Sequence, residues 1–308
     1  MKLINPKVEL LPEDGNIFQA IERAGRTCYK SENKITDYSA MEFVGRMQES
    51  KHLSMLEHGT VYLTVKIPKN KDGEFDWTTK EYSFVMDLLH NPYTETNIDK
   101  KTGTVYITTN YRVIVDHSML HEYMKYKSER TTSHPRRVSF RITTNRQVTH
   151  ELVRHRKFSF AQESTRYCDY TKDKFGGLTF IIPAFLKDKI KENKEKGFEI
   201  VDKEDDVSVN PANDFIDCLS NIEGAYYSLK RIGVKPQNRA LLLPNDTKTE
   251  IIMTGFLDDW KHFLDLRYFE KTGKVHPDMK VISTMIYKQL CDNGIYVPTV
   301  DVFEHHTM

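Results

Sequence analysis

The chain is organised around Arg154-His155-Arg156-Lys157-Phe158-Ser159-Phe160-Ala161-Gln162-Glu163-Ser164-Thr165-Arg166-Tyr167. Four fixed positive charges, a histidine and two serines fall within these fourteen residues, and only Glu163 opposes them. Arginine is suited to a planar, two-pronged grip on phosphate or carboxylate. Arg154 and Arg156 point to different sides on a helix or at its end, so they can serve two different groups. Beyond them, Ser159, Ser164 and Thr165 favour turns and caps over a helix interior. The pattern predicts a helix, then an irregular loop, then Arg166. Such a loop offers backbone N–H groups and hydroxyls to an anion. A solvated basic face is the competing reading of any arginine-rich stretch.

The flanking pattern says what carries that stretch. Residues 138–143 form the clearest strand, and a helix from about Asn145 delivers His155. Earlier, residues 7–10 read as a short strand, and Ile17, Ile21 and Ala24 share a helical face. Met41, Val44 and Met47 repeat that spacing over 38–50, while 61–67 alternates like a half-buried strand. Residues 69–80 look like a polar hairpin, 82–89 like a helix, 92–103 like turns and 104–108 like a strand. Residues 111–126 read as strand then helix. After the central stretch come a strand at 179–182, a Lys/Glu-rich helix opened by Pro183, and an acidic surface loop at 199–210. A long helix runs from Asn213 to a stop at Gly233. Pro236 opens a segment ending at Pro244, and further helices are expected over 255–268 and 278–293. Hairpin-like pieces and unevenly spaced helices give an α+β fold, mainly antiparallel sheet packed with helices. No linker or repeat divides residues 1–308, so a single domain is expected.

Charge and motif usage exclude several classes. Lys+Arg is 45 against Asp+Glu 44, which gives no global attraction to nucleic acid or membrane. No apolar run approaches the roughly 20 residues of a bilayer span, and the first residues hold no apolar signal core, so a cytoplasmic protein is expected. Cys28, Cys168, Cys218 and Cys291 lack metal-site spacing and read as reduced thiols. There is no glycine-rich dinucleotide turn and no phosphate loop. His150 and His155 are five apart and diverge on a helix, and His117 and His121 lack a third ligand, so no metal site is expected.

Arg-His-Arg, seven residues, Ser164 and then Arg166-Tyr167 resembles the signature of the flavin-dependent thymidylate synthases. The resemblance extends to Arg26-Thr27-Cys28-Tyr29, to Glu57-His58, to Arg239 before a Leu-rich run ending in Pro244, and to Phe263-Leu264-Asp265-Leu266-Arg267. It implies that family's fold, with a family-variable insertion at about 69–137. It implies conversion of dUMP to dTMP with FAD, with methylenetetrahydrofolate and NADPH as co-substrates, in a homotetramer. By the same resemblance, Glu151, Arg154, Gln162, Glu163, Ser164, Thr165, Arg166, Arg239 and Arg267 would bind dUMP. His58, Thr60, Arg154, His155, Arg156, Gln162, His262 and His276 would face FAD. Arg267 would contact the pyrimidine and promote its ionisation, as a cation beside developing negative charge does. Ser164 positions ligand on this reading, since no base–orienter arrangement marks it as a nucleophile.

The sequence also departs from the family pattern. Phe256 and Asp258 stand where Asn and Arg are common, His262 replaces a flavin-side Asn, and His276 comes later than the usual histidine. A noncatalytic homologue that keeps nucleotide binding is therefore an alternative. An RNA-binding module with Phe158, Phe160 and Tyr167 as stacking residues is another, opposed by the balanced charge and the lack of an RNA-binding motif.

Overall fold

The computed structural model describes residues 1–13, 16–201 and 210–297. Its strands are β1 (Lys2–Ile4), β2 (Lys7–Leu10), β3 (Thr60–Lys66), β4 (Glu95–Asp99), β5 (Thr104–Asn110), β6 (Arg137–Asn145), β7 (Ser159–Gln162), β8 (Thr179–Ile181), β9 (Ile190–Lys191), β10 (Glu199–Ile200) and β11 (Lys248–Phe256). Its helices are α1 (Ile17–Tyr29), α2 (Ser39–Glu49), α3 (Lys80–Leu89), α4 (Tyr111–Asp116), α5 (Leu120–Tyr126), α6 (Arg146–Leu152), α7 (Pro211–Arg231), α8 (Pro236–Arg239), α9 (Leu257–Arg267) and α10 (Pro277–Asp292).

β6 and β11 are the spine. They pair antiparallel from Lys248 opposite Asn145 to Phe256 opposite Arg137. β2 joins the far edge of β6 and β7 the far edge of β11, both antiparallel. Successive residues of β11 serve opposite faces, as a pleated strand requires. Ile251 and Met253 enter the core built with α9 and α10, and Ile252 enters the core built with α1 and α2. The second core also buries Val61, Leu63 and Val65 of β3, which pairs with β5, and β5 pairs in turn with β4. A third core packs α7 against the parallel pair β1 and β8. The fold is α+β, and every strand pair except that last one is antiparallel among the described residues.

Local chemistry sets the ends of the elements that matter to the site. Asn16 caps α1 by accepting from the Phe18 and Gln19 N–H groups. α1 stops where Lys30 turns left-handed, at φ 47°, and its N–H returns to Arg26 and Thr27. Trp260 anchors α9: it meets Phe158 at 4.6 Å and Phe140 at 5.0 Å, and its indole N–H donates to the Val138 carbonyl at 3.1 Å.

Some sequence expectations shift. The expected loop after Arg156 contains β7, because Phe158 and Ala161 alternate into the two cores and β11 completes the ladder. Tertiary pairing overrides the turn preference of Ser159. The helix expected from Pro183 is one short turn, Ala184–Leu186, followed by β9. Beyond Pro183 only Leu186 and Ile190 are buried there, too narrow an apolar face to hold a helix. The helix expected from Gly255 starts at Leu257, since the strand continues through Phe256 and the Phe158 ring packs where a Gly255 side chain would stand. Residues 111–126 form α4 and α5, because Asn110 caps α4 through the Val113 N–H. Of the expected acidic loop, 202–209 lie outside the described residues.

Candidate active site

α6 begins where Asn145 accepts from the Val148 N–H at 2.9 Å. After Leu152 the chain turns back, with the His155 N–H on the Leu152 carbonyl and the Phe158 N–H on the His155 carbonyl. That turn throws Arg154 and Arg156 outward, both exposed, and keeps His155 half-buried against Phe263. Neither arginine has a side-chain partner among the described residues.

Arg267, at the last turn of α9, reaches this turn. Its Nε donates to His155 Nε2 at 3.2 Å and its Nη1 donates to Glu151 Oε2 at 3.1 Å. Burial pushes the His155 pKa down to about 4, and the Arg267 and His262 charges push the same way. His155 is therefore neutral at physiological pH and accepts at Nε2, which places its ring proton on Nδ1. Arg267 Nη2 has no partner among the described residues, so one prong of the fork faces outward.

β7 links this turn to the hydroxyl-rich loop. Gln162, its last residue, donates to Thr149 at 3.1 Å and Thr249 at 3.2 Å. Glu163 turns inward, where its oxygens accept from the Tyr170 hydroxyl and the Lys248 ammonium, each at 2.9 Å. The Ser164 N–H donates to the Cys28 carbonyl at 2.9 Å, and Ser164 Oγ accepts from the Arg166 N–H at 3.3 Å. Thr165 is half-buried, and Arg166 is exposed over the Tyr167 ring with no acidic partner among the described residues.

The opposite face of the sheet carries His58 and Thr60. Ser139, Thr254 and Ser159 stand in register across β6, β11 and β7. His58 Nδ1 shares a hydrogen bond with Thr254 Oγ1 at 2.9 Å, while its Nε2 is buried without a partner. Burial and then Arg137 push the His58 pKa down to about 3, with the Phe160 backbone working the other way. Arg137 itself is buried. It donates to Thr60 Oγ1 at 3.4 Å and the Glu57 carbonyl at 3.2 Å, and lies 5.6 Å from the Phe256 ring centre.

The remaining expected residues lie apart in their contacts. Arg239 is 1% exposed, donates to Asp169 at 2.7 Å and lies over Tyr226, while its Nε and Nη1 have no acceptor. His262 is exposed on α9. His276 caps α10 by accepting from the Asp278 N–H at 3.2 Å. Arg137, Lys248, Glu250 and Lys30 were not singled out from sequence. Lys248 and Glu250 share a face because they are two apart on a strand, a spacing that could have flagged them.

Within this α+β fold, two exposed arginines stand on the turn whose His155 and Glu151 clamp a third, and a hydroxyl-rich loop follows at the end of β7. The family described as thymidylate synthase complementing protein matches residues 82–292, and the chain belongs to it. A flavin-dependent thymidylate synthase of Corynebacterium efficiens is 31% identical over 138 residues, 44% of this chain and 49% of that protein. One of Mycobacterium avium is 31% identical over 150 residues, 47% and 52% of the two. The chain spans about half the length of the curated relatives it matches. A solved UMP/dUMP methylase, PolB of Streptomyces cacaoi bound with 5-Br dUMP, superposes with a TM-score of 0.43 at 15% identity, covering 95% of this chain and 93% of that one.

Proposed function

We propose that this protein is a flavin-dependent thymidylate synthase that makes dTMP from dUMP, with methylenetetrahydrofolate as carbon donor and NADPH as reductant. The observation that carries the reading is Arg267, held by Glu151 and His155 with one prong free, at the turn that carries Arg154 and Arg156, which have no side-chain partner among the described residues.

The residues fit a bound FAD. His58 Nε2 is an orphaned buried nitrogen, and Arg154 and Arg156 carry no counter-charge among the described residues. His58 and Thr60 on one face of the sheet, and His155 and Arg156 on the other, would hold it in sites shared between subunits, together with His262 and His276. When bound, FAD supplies the hydride chemistry.

This chain's own residues bind, orient and polarise. Arg154, Arg166 and the Ser164 hydroxyl take the dUMP phosphate, and Arg239, held on Asp169, is a further cation for the nucleotide. Gln162 and Thr165 line the approach, while Glu163 acts on the loop through its interior contacts. Glu151 and His155 fix the plane of the Arg267 guanidinium against the pyrimidine, where negative charge develops. His155, being neutral, accepts from Arg267 without repelling it.

On the same reading the protein is a cytoplasmic homotetramer of single domains, its exposed arginines meeting groups from neighbouring subunits. Residues 69–137, which separate β3 in one sheet from β6 in another, are a family-variable elaboration.

A nucleotide-binding homologue without flavin is the second reading. Phe256 is buried under Arg137, and the exposed Asp258 pairs with Lys261, so neither offers a flavin the donor that Asn or Arg would. Titrating FAD fluorescence with purified protein separates the two: quenching to saturation at one FAD per chain is expected, and unchanged fluorescence would leave only the second reading.

A further inference from the structure

The loop that carries Ser164 and Arg166 follows directly on the buried Glu163. A cavity of about 250 Å³, lined by Ile4, Glu163, Tyr170, Leu178, Thr247 and Lys248, lies on its inner side. The Thr247 hydroxyl is buried there without a partner. Two of its lining residues, Glu163 and Lys248, belong to an alternating chain of charges. Glu163, with a side chain 1% exposed, accepts from Lys248 Nζ at 2.9 Å. The same ammonium meets Glu250 Oε1 at 2.6 Å, and Glu250 Oε2 meets Lys30 Nζ at 2.9 Å.

Backbone bonds tie both ends of this chain to the loop. The Glu163 N–H donates to the Glu250 carbonyl at 2.8 Å, and the Ser164 N–H to the Cys28 carbonyl at 2.9 Å, just before Lys30 ends α1. A carboxylate as buried as Glu163 needs its counter-charge, since removing one partner of a buried pair leaves an uncompensated ion. Without Lys248, Glu163 keeps only the Tyr170 hydroxyl and loses its counter-charge, which draws it toward water, and Ser164 is the next residue along.

We propose that Lys248 is a positioning residue for the Ser164–Arg166 loop: it does not reach the ligand but fixes the loop that does. The inference rests on the reading of that loop as the grip on the dUMP phosphate. Glu250 and Lys30 hold Lys248 in place, so the loop's geometry is set from β11 and the end of α1 together.

The test uses the full-length protein with Lys248→Met and Lys248→Arg. Hydrogen exchange by mass spectrometry is read first, without nucleotide. In Lys248→Met, exchange across 163–168 rises at least about tenfold while α9 is unchanged, the effect of losing one charge-assisted hydrogen bond. Lys248→Arg, which keeps the charge, stays near wild type in that segment. The KM for dUMP then rises in Lys248→Met by more than any fall in kcat, and Lys248→Arg recovers it. Unchanged exchange at 163–168, or an equal rise along the whole chain, overturns the proposal. If the exchange pattern holds while wild-type protein binds no dUMP, the positioning role stands and the reading of the loop as a nucleotide grip fails.

Discussion

Arg267 and His155 are joined by a 3.2 Å hydrogen bond from guanidinium Nε to imidazole Nε2. The bond exists only while His155 is neutral, because an imidazolium has no free nitrogen to accept it. Glu151 fixes Nη1 of the same guanidinium at 3.1 Å, so two residues of the α6 region set the plane of an arginine delivered by α9. The plane, rather than the charge alone, is what a pyrimidine edge would read.

Arg267→Lys keeps the charge and loses the fork. The expected result is a turnover loss of at least about tenfold, or ~1.4 kcal/mol, with FAD content retained. Substrate-free NADPH oxidation by oxygen should persist on the same preparation, since it needs no ring activation. Near-wild-type dTMP formation would remove the geometric role, and parallel loss of both activities with lost FAD would make Arg267 a flavin-holding or structural residue.

Stability should fall on mild acidification. His155 and His58 are held at about 4 and about 3 in the fold, against an ordinary 6.5. Between those values and 6.5 the unfolded chain binds protons that the native chain refuses, so acid favours unfolding. Glu95 opposes this over part of the window, because burial and then Asp259 and Asp258 raise it from 4.5 to about 7. Comparison of variants isolates the histidines. The drop in Tm from pH 7 to pH 5 should be smaller in His58→Gln than in wild type, and equal drops would show that His58 is not held neutral.

Arg166→Ala should weaken dUMP binding by roughly 1.5–3 kcal/mol, the range for a hydrogen bond to a charged group. Deoxyuridine, which lacks the phosphate, should lose far less. Calorimetric titration of both ligands decides it, and equal losses would place Arg166 away from the phosphate.

Trp260→Ala should cost about 3–5 kcal/mol of stability by denaturant unfolding, as large-to-small changes in a tight core do. Trp260 is fully buried between Phe140, Phe158 and Phe263. A loss below about 1 kcal/mol would mean that α9 does not dock on the β6–β11 sheet through this ring.

Alternating strands were readable because each serves one core: Val61, Leu63 and Val65 are all buried, as are Val138, Phe140 and Ile142. The long helix α7 and the delivery of His155 from the end of α6 were readable for similar local reasons. β7 was not, because its identity as a strand depends on β11, some ninety residues away in sequence. The partnership of Arg267 with Glu151 and His155 likewise spans more than a hundred residues, and no spacing rule encodes it. Glu163 is expected to bind dUMP only by the family resemblance. Its inward turn follows from Lys248, whose position only the sheet register reveals.

The most direct measurement of the central claim is release of tritium from C5 of [5-³H]dUMP together with dTMP formation. Purified protein, FAD, NADPH and methylenetetrahydrofolate are supplied under low oxygen. The account predicts tritium release that matches dTMP formed, requires added or bound FAD, and falls at least about tenfold in Arg267→Lys. Protein that holds FAD and binds dUMP, yet releases no tritium and forms no dTMP, would contradict it.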